Sequence, residues 1–225
     1  MTPEFLEKAE QAIVAARLLY ERGMVNAFEG NVSVRMGDHL LITPSQVCKA
    51  ELTPPDLVQV DIATGETIYA APGRRASSEV KMHQCCYRSR PDAQGIAHAH
   101  PPSATAFALC NRPIETNAYP EMTVLYGKVP LCRYGRPGTQ AVCDGIPAAL
   151  VEYDAFLLAN HGLTAVGGTP MEAAYRLEAI ESIARVLLGA YALGGESPLP
   201  EREIMELASM RTRTRKEKLG AMYGK

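Results

Sequence analysis

The chain has 225 residues, 47% hydrophobic and 21% charged, and its 23 basic and 25 acidic side chains leave a formal charge of −2. That length buries a full core in one domain without staples, and the even charge offers no field to gather nucleic acid or a membrane surface. Six cysteines without a C-x-x-C pair, two of them adjacent at Cys85 and Cys86, exclude a disulfide framework, and no apolar run nears the roughly 20 residues of a membrane span, so a soluble cytoplasmic protein is expected.

Phe5, Ile13, Leu18 and Leu19 recur at helical spacing over residues 3–22, behind a Thr2-Pro3 start and before Gly23. Strands are predicted at 31–35 and 39–43, joined by Gly37-Asp38, then at 57–61 and 67–69, joined through Thr64-Gly65. A helix over 78–90 ends before Pro91, a strand over 94–99 precedes Pro101-Pro102, and a helix follows over 103–110. Residues 128–132 read as a strand and 139–150 as a helix that Pro147 bends or shortens. The apolar run 155–159 reads as a strand leading to Asn160-His161-Gly162. Thr169-Pro170-Met171-Glu172 opens a long helix carrying Leu177, Ile180, Ala184, Leu187 and Leu188. After Gly194, Gly195, Pro198 and Pro200 a last helix carries a basic run, Arg211, Arg213, Arg215, Lys216 and Lys218, read as a solvated helix end. The pattern is one mixed α/β domain over 1–225, with 196–225 as a helical tail. It has neither a Gly-x-Gly-x-x-Gly strand exit nor a phosphate-binding loop with its lysine.

The sharpest chemical signal is His98-Ala99-His100. Side chains alternate along a strand, so both imidazoles share one face and can share an ion. His161 ends another apolar strand; if the two strand ends are neighbours, three nitrogens converge and leave positions open for water or substrate. Imidazole also suits iron, cobalt or nickel. Glu79, early in a helix, suits the macrodipole but could equally exchange a proton beside a Lewis-acidic ion. His83 and His39 are read as non-ligands, His83 as a packing or hydrogen-bonding residue. Gly30-Asn31, Thr43-Pro44-Ser45 and Ser77-Ser78 supply the hydroxyls, amide and backbone N–H groups of an anion nest. Tyr134 stands by the Gly135-to-Gly138 turn, where a phenol can donate a proton; Tyr119, Tyr126 and Tyr223 compete for that role.

Gly30-Asn31-Val32-Ser33, Ser77-Ser78-Glu79, His98-Ala99-His100-Pro101 and Asn160-His161-Gly162 together resemble successive motifs of the class II aldolase/adducin family. The resemblance runs from about residue 5 to residue 190. It implies a three-layer α/β fold with a mostly antiparallel central sheet flanked by helices. It implies Zn²⁺ on His98, His100 and His161, with Glu79 as acid/base group, and phosphate recognition by Gly30, Asn31, Ser45, Gln46, Ser77 and Ser78. The 130–139 segment looks like the loop carrying a catalytic tyrosine, which places that role on Tyr134. A homotetramer with sites at subunit boundaries is implied too, with Tyr223 reaching a neighbouring site. Related aldolases often have glycine where this chain has Gln46, and Arg133 and Arg136 give the tyrosine loop a character of its own. The expected reaction is reversible cleavage of a ketose 1-phosphate to dihydroxyacetone phosphate and an aldehyde. A 3-oxo sugar-acid phosphate decarboxylase, a pentulose-phosphate 4-epimerase and a metal-free adducin-like module are the alternatives.

Overall fold

Eight strands form one sheet in the computed structural model of the chain, which describes residues 1–223 and side chains through residue 213. In chain order the strands are β1 (Asn31–Met36), β2 (His39–Ile42), β3 (Val58–Asp61), β4 (Thr67–Tyr69), β5 (Gly95–Ala99), β6 (Leu131–Cys132), β7 (Ala155–Leu158) and β8 (Gly162–Gly167). Their spatial order is β4-β3-β2-β1-β5-β8-β7-β6. Every pairing is antiparallel except β6 with β7. The sheet is therefore mixed and mostly antiparallel, as expected.

Helices α1 (Pro3–Glu21), α3 (Pro102–Leu109) and α5 (Pro170–Ala192) share one apolar core with Val32, Val34, Ala97, Ala99, Leu163 and Ala165. Helices α2 (Val80–Ser89) and α4 (Ile146–Glu152) share the other with Leu40, Ile42, Ile96, Phe156 and Val166. Odd and even residues of β5 thus enter different cores, as strand alternation requires. The caps are those the sequence offers: Thr2 accepts from Phe5 N at 3.1 Å, and Thr169 from Glu172 N at 3.0 Å.

Three segments differ from expectation. Residues 162–167 form the central strand β8; Gly162, Ala165 and Gly167 carry little strand propensity and mask that of Thr164 and Val166, and pairing on both sides supplies the order. The helix expected over 139–150 divides into a 3₁₀ turn at Gln140–Cys143 and α4, because Gly145, at φ 84°, ends the turn and Pro147 sits in the first turn of α4 rather than bending it. Met122–Tyr126 forms one π-helical turn that no periodicity announced. The last helix, α6 (Glu201–Tyr223), is held by Arg211, whose guanidinium lies 3.3 Å from Glu152 and over the Tyr153 ring at 5.7 Å, so that member of the basic run is docked rather than solvated. The side chains of Tyr223, Arg215, Lys216 and Lys218 lie outside the described residues. All six cysteines are free thiols. Among the described residues no helix is long and apolar enough to cross a membrane.

Candidate metal centre

Cross-strand register builds the floor of the site. Asn31 of β1 pairs with His98 of β5, which pairs with Thr164 of β8, so three polar side chains form one row on the α2 face of the sheet. One step along the same face, Ser33 pairs with Ile96. Helix α2 lies above with Glu79 at its N-cap position, and Glu79, His83 and Tyr87 recur every fourth residue, which aligns them on one helical face. All three are buried.

His98, His100, His161 and Glu79 each offer a ligand atom, and these atoms lie within 4.8 Å of one another. His98 Nε2 is 3.1 Å from His100 Nε2 and 2.9 Å from Glu79 Oε2, and His161 Nε2 is 3.3 Å from Glu79 Oε1. The expectation that His98 and His100 share a face holds, but the route of His161 is different. β7 is not a neighbour of β5; β8 lies between them, and His161 arrives on the β7–β8 turn. Asn160 makes that turn at φ 57°, a conformation asparagine tolerates better than most residues.

The donor set fits a divalent cation. Thr164 Oγ1 lies 2.9 Å from His98 Nδ1, and Glu29 Oε2 lies 3.5 Å from His100 Nδ1. Acceptors on the outer nitrogens hold the Nδ1–H tautomers and turn both Nε2 lone pairs inward, the arrangement that orients histidines toward a metal. Two lone pairs facing each other at 3.1 Å repel unless a cation or a proton lies between them. Glu79 Oε1 and His161 Nδ1 are buried without a hydrogen-bond partner among the described residues. Burial, then the neighbouring His98 charge, pushes His161 down to about 4 and lowers His100, so both rings are neutral near pH 7 and could offer a lone pair to a cation. Burial raises the Glu79 carboxyl; when a proton rather than a cation occupies the space between the rings, the charge and hydrogen bond of His98, the charge of His161 and the hydrogen bond from Asn31 outweigh burial and hold the group below the usual carboxylate range.

His83 is a hydrogen-bonding residue, as read from the sequence. Its Nε2 meets Asn31 Oδ1 at 2.5 Å and its Nδ1 meets Ser33 Oγ at 2.6 Å. Desolvation, then His98, pushes it down to about 3. His39 pairs with Gln59 and Asp61 on the outer strands, away from the cluster.

The residues expected to bind phosphate fall into two groups. Gly30 and Asn31 adjoin His98: Gly30 has φ 67°, and a Cβ there would meet Val25 Cγ1 at 2.3 Å and His98 O at 2.9 Å. Both ends of the Asn31 amide are engaged, Nδ2 donating to Glu79 Oε2 at 3.1 Å. In the second group, a Pro44–Ala76 bridge and Ser45 N donating to Arg75 O at 3.0 Å bring Ser45 and Gln46 beside Ser77 and Ser78. Gln46 takes φ 58°, the left-handed region that explains why glycine suits this position. Its Oε1 accepts from Arg75 Nη2 at 3.2 Å. Gln46→Gly should therefore raise stability by about 1 kcal/mol, about 2–4 °C in Tm for a chain of this size, as thermal unfolding would show.

Tyr134 is 60% exposed, and no hydrogen bond holds it among the described residues. Its loop starts beside the His161 turn, where Ala159 N donates to Cys132 O at 3.0 Å. It then passes Ser78, whose carbonyl lies 3.5 Å from where a Cβ of Gly138 would stand. Tyr119 and Tyr126 are half-buried against the core. Sequence reasoning missed Thr164, Glu29 and Arg75. The 31–98–164 register would have revealed Thr164 had β8 been recognised; nothing in the sequence distinguishes the other two.

Comparison with known proteins gives one consistent neighbourhood. The class II aldolase and adducin N-terminal domain matches residues 10–188. An L-fuculose phosphate aldolase of Escherichia coli O6:H1 is 32% identical over 197 residues, covering 87% of this chain and 90% of that protein. A 3-oxo-tetronate 4-phosphate decarboxylase of the same strain is 30% identical over 209 residues, covering 90% and 94%. The solved structure of an L-fuculose 1-phosphate aldolase superposes with a TM-score of 0.81 at 28% identity, over 90% of this chain and 95% of that one.

Proposed function

Because the chain belongs to the class II aldolase and adducin family, we propose that it is a divalent-metal-dependent carbon–carbon lyase that reversibly cleaves a ketose 1-phosphate to dihydroxyacetone phosphate and an aldehyde. The observation that carries this reading is the state of Glu79: Oε2 accepts from Asn31 at 3.1 Å and lies 2.9 Å from His98 Nε2, while Oε1, 3.3 Å from His161 Nε2, has no hydrogen bond among the described residues. A buried carboxylate left with one free oxygen in a cluster of neutral imidazoles is placed for proton transfer.

His98, His100 and His161 would hold the cation, Zn²⁺ by preference of a three-imidazole set with an open position. Bound there, the ion supplies Lewis acidity toward charge developing on substrate oxygens. Glu79 exchanges a proton with the donor carbon through its free oxygen. The Gly30-Asn31 turn, the Ser45-Gln46 turn and the Ser77-Ser78 step bind the phosphate, fixing the donor carbon relative to Glu79. Tyr134, on the loop between the His161 turn and Ser78, donates to the aldehyde-side oxygen.

A second reading has its own support. Arg133 and Arg136 are exposed on that same loop and suit a substrate carboxylate, and a decarboxylase is among the relatives that match nearly end to end. Protein loaded with zinc should therefore be assayed on a panel of ketose 1-phosphates for dihydroxyacetone phosphate and on 3-oxo sugar-acid phosphates for carbon dioxide. Release of dihydroxyacetone phosphate that chelation abolishes and zinc restores supports the aldolase; carbon dioxide alone transfers the same machinery to decarboxylation. Turnover that survives chelation would overturn the metal-dependent reading altogether.

A further inference from the structure

A chain of buried hydrogen bonds runs beneath Glu79, and it has a direction. Asn31 turns its amide nitrogen to Glu79 Oε2 at 3.1 Å and its carbonyl oxygen to His83 Nε2 at 2.5 Å. A carbonyl only accepts, so Nε2 is the protonated nitrogen of His83. In a neutral ring Nδ1 is then an acceptor, and Ser33 Oγ–H fills it at 2.6 Å. Ser33 in turn accepts from the Tyr87 hydroxyl at 2.9 Å. Reversing any link would turn the Asn31 carbonyl against the Glu79 carboxylate, two acceptors in contact inside the protein.

The chain cannot carry protons to solvent. Tyr87 is 1% exposed, and burial holds its phenol far above the usual range. Arg35 fixes that end, its guanidinium 4.7 Å above the Tyr87 ring and its Nη2 donating to Tyr87 O at 2.8 Å. What such a closed, fully oriented chain does is hold an amide in one of its two flips.

We infer that His83 is a positioning residue: by fixing the Asn31 amide it keeps Glu79 Oε2 occupied and leaves Oε1 as the oxygen that exchanges the substrate proton. In the condensation direction the donor C–H proton passes to Oε1, its electron pair forms the bond to the aldehyde carbon as the carbonyl π bond breaks, and the aldehyde oxygen takes its proton from Tyr134. The inference rests on the acid–base role proposed for Glu79. With both ends of its amide engaged, the Asn31 side chain acts on the base, and phosphate recognition by the Gly30-Asn31 turn falls to its backbone.

The test compares zinc-loaded full-length protein with His83→Phe, which fills the space but donates nothing, and His83→Gln, whose amide N–H can still reach Asn31. His83→Phe should lower kcat about 10–100-fold by misplacing the base, with KM and zinc content within about twofold of the parent. His83→Gln should recover most of that loss. The ¹⁵N-resolved side-chain amide protons of Asn31 give a readout independent of turnover: protected from exchange in the parent and in His83→Gln, unprotected in His83→Phe. Unchanged kcat in His83→Phe, or protected Asn31 protons with a lowered Tm as the only effect, would overturn the inference. Should His83→Phe not fold, Ser33→Ala removes the proton that Nδ1 accepts, and the same readouts apply. Should the parent cleave no sugar phosphate, the lyase reading fails, while the Asn31 signals still decide whether His83 orients that amide.

Discussion

Replacing Glu79 with glutamine is expected to leave the metal centre loaded and remove turnover, with kcat falling about 10²–10⁴-fold, the usual worth of a general acid–base group. The substitution keeps size and shape. Asn31 Nδ2 can still donate to the amide oxygen at the position of Oε2, so the buried chain below keeps its partner. What disappears is the free acceptor at Oε1, which becomes an amide N–H beside His161 Nε2, 3.3 Å away in the parent. Zinc content measured on purified protein separates two roles for the carboxylate. Equal zinc with lost turnover identifies the base; zinc lost together with turnover identifies Glu79 as a fourth ligand, which its place in the four-residue cluster also permits. The comparison needs the substrate found by the panel and no other information about specificity.

Much of the site was legible because each motif is local. His98-Ala99-His100 puts two imidazoles on one side by strand alternation alone, and Glu79 follows a serine pair at a helix start. How the pieces meet was not legible. The run 162–167, Gly-Leu-Thr-Ala-Val-Gly, has too few large apolar residues to announce a strand, yet β8 is what joins β5 to the turn bearing His161. Without it the Asn31–His98–Thr164 row has no third member, and two strand ends that are not neighbours look as though they should be. His83 shows the opposite case. The fourfold spacing of Glu79, His83 and Tyr87 was visible, but only the sheet beneath shows that Asn31 and Ser33 occupy the positions this face needs. Gln46 was recognised as a departure from glycine; its φ of 58° is a backbone property that only the folded chain reveals.

One steric demand on the centre comes from a residue that contributes no ligand. Gly162 opens β8 directly after His161, and a Cβ there would stand 2.6 Å from Ala99 O, 2.6 Å from His100 Cδ2 and 3.4 Å from His98 Cε1. The His100 ring could rotate away from such a contact; the Ala99 carbonyl, in the backbone of β5, cannot without parting β5 from β8. Gly162→Ala should therefore cost about 1–3 kcal/mol in overpacking and weaken metal binding by about 10–100-fold, the loss typical when the support of a ligand is removed. Gly189→Ala is the matched control. Gly189 lies inside α5 with nothing within 4 Å of an added Cβ, so alanine there should stabilise the helix by about 1 kcal/mol and leave metal affinity unchanged. Zinc titration followed by thermal unfolding, with and without chelator, reads both quantities together. If the ion is held between β5 and the β7–β8 turn, the parent and Gly189→Ala melt higher with zinc by the same margin, whereas the zinc-dependent stabilisation of Gly162→Ala is smaller by about 1.4–2.7 kcal/mol, the equivalent of the 10–100-fold weaker binding. A zinc-dependent rise of parental size in Gly162→Ala would mean that the ion does not depend on His100 and His161 being held together across this strand pair.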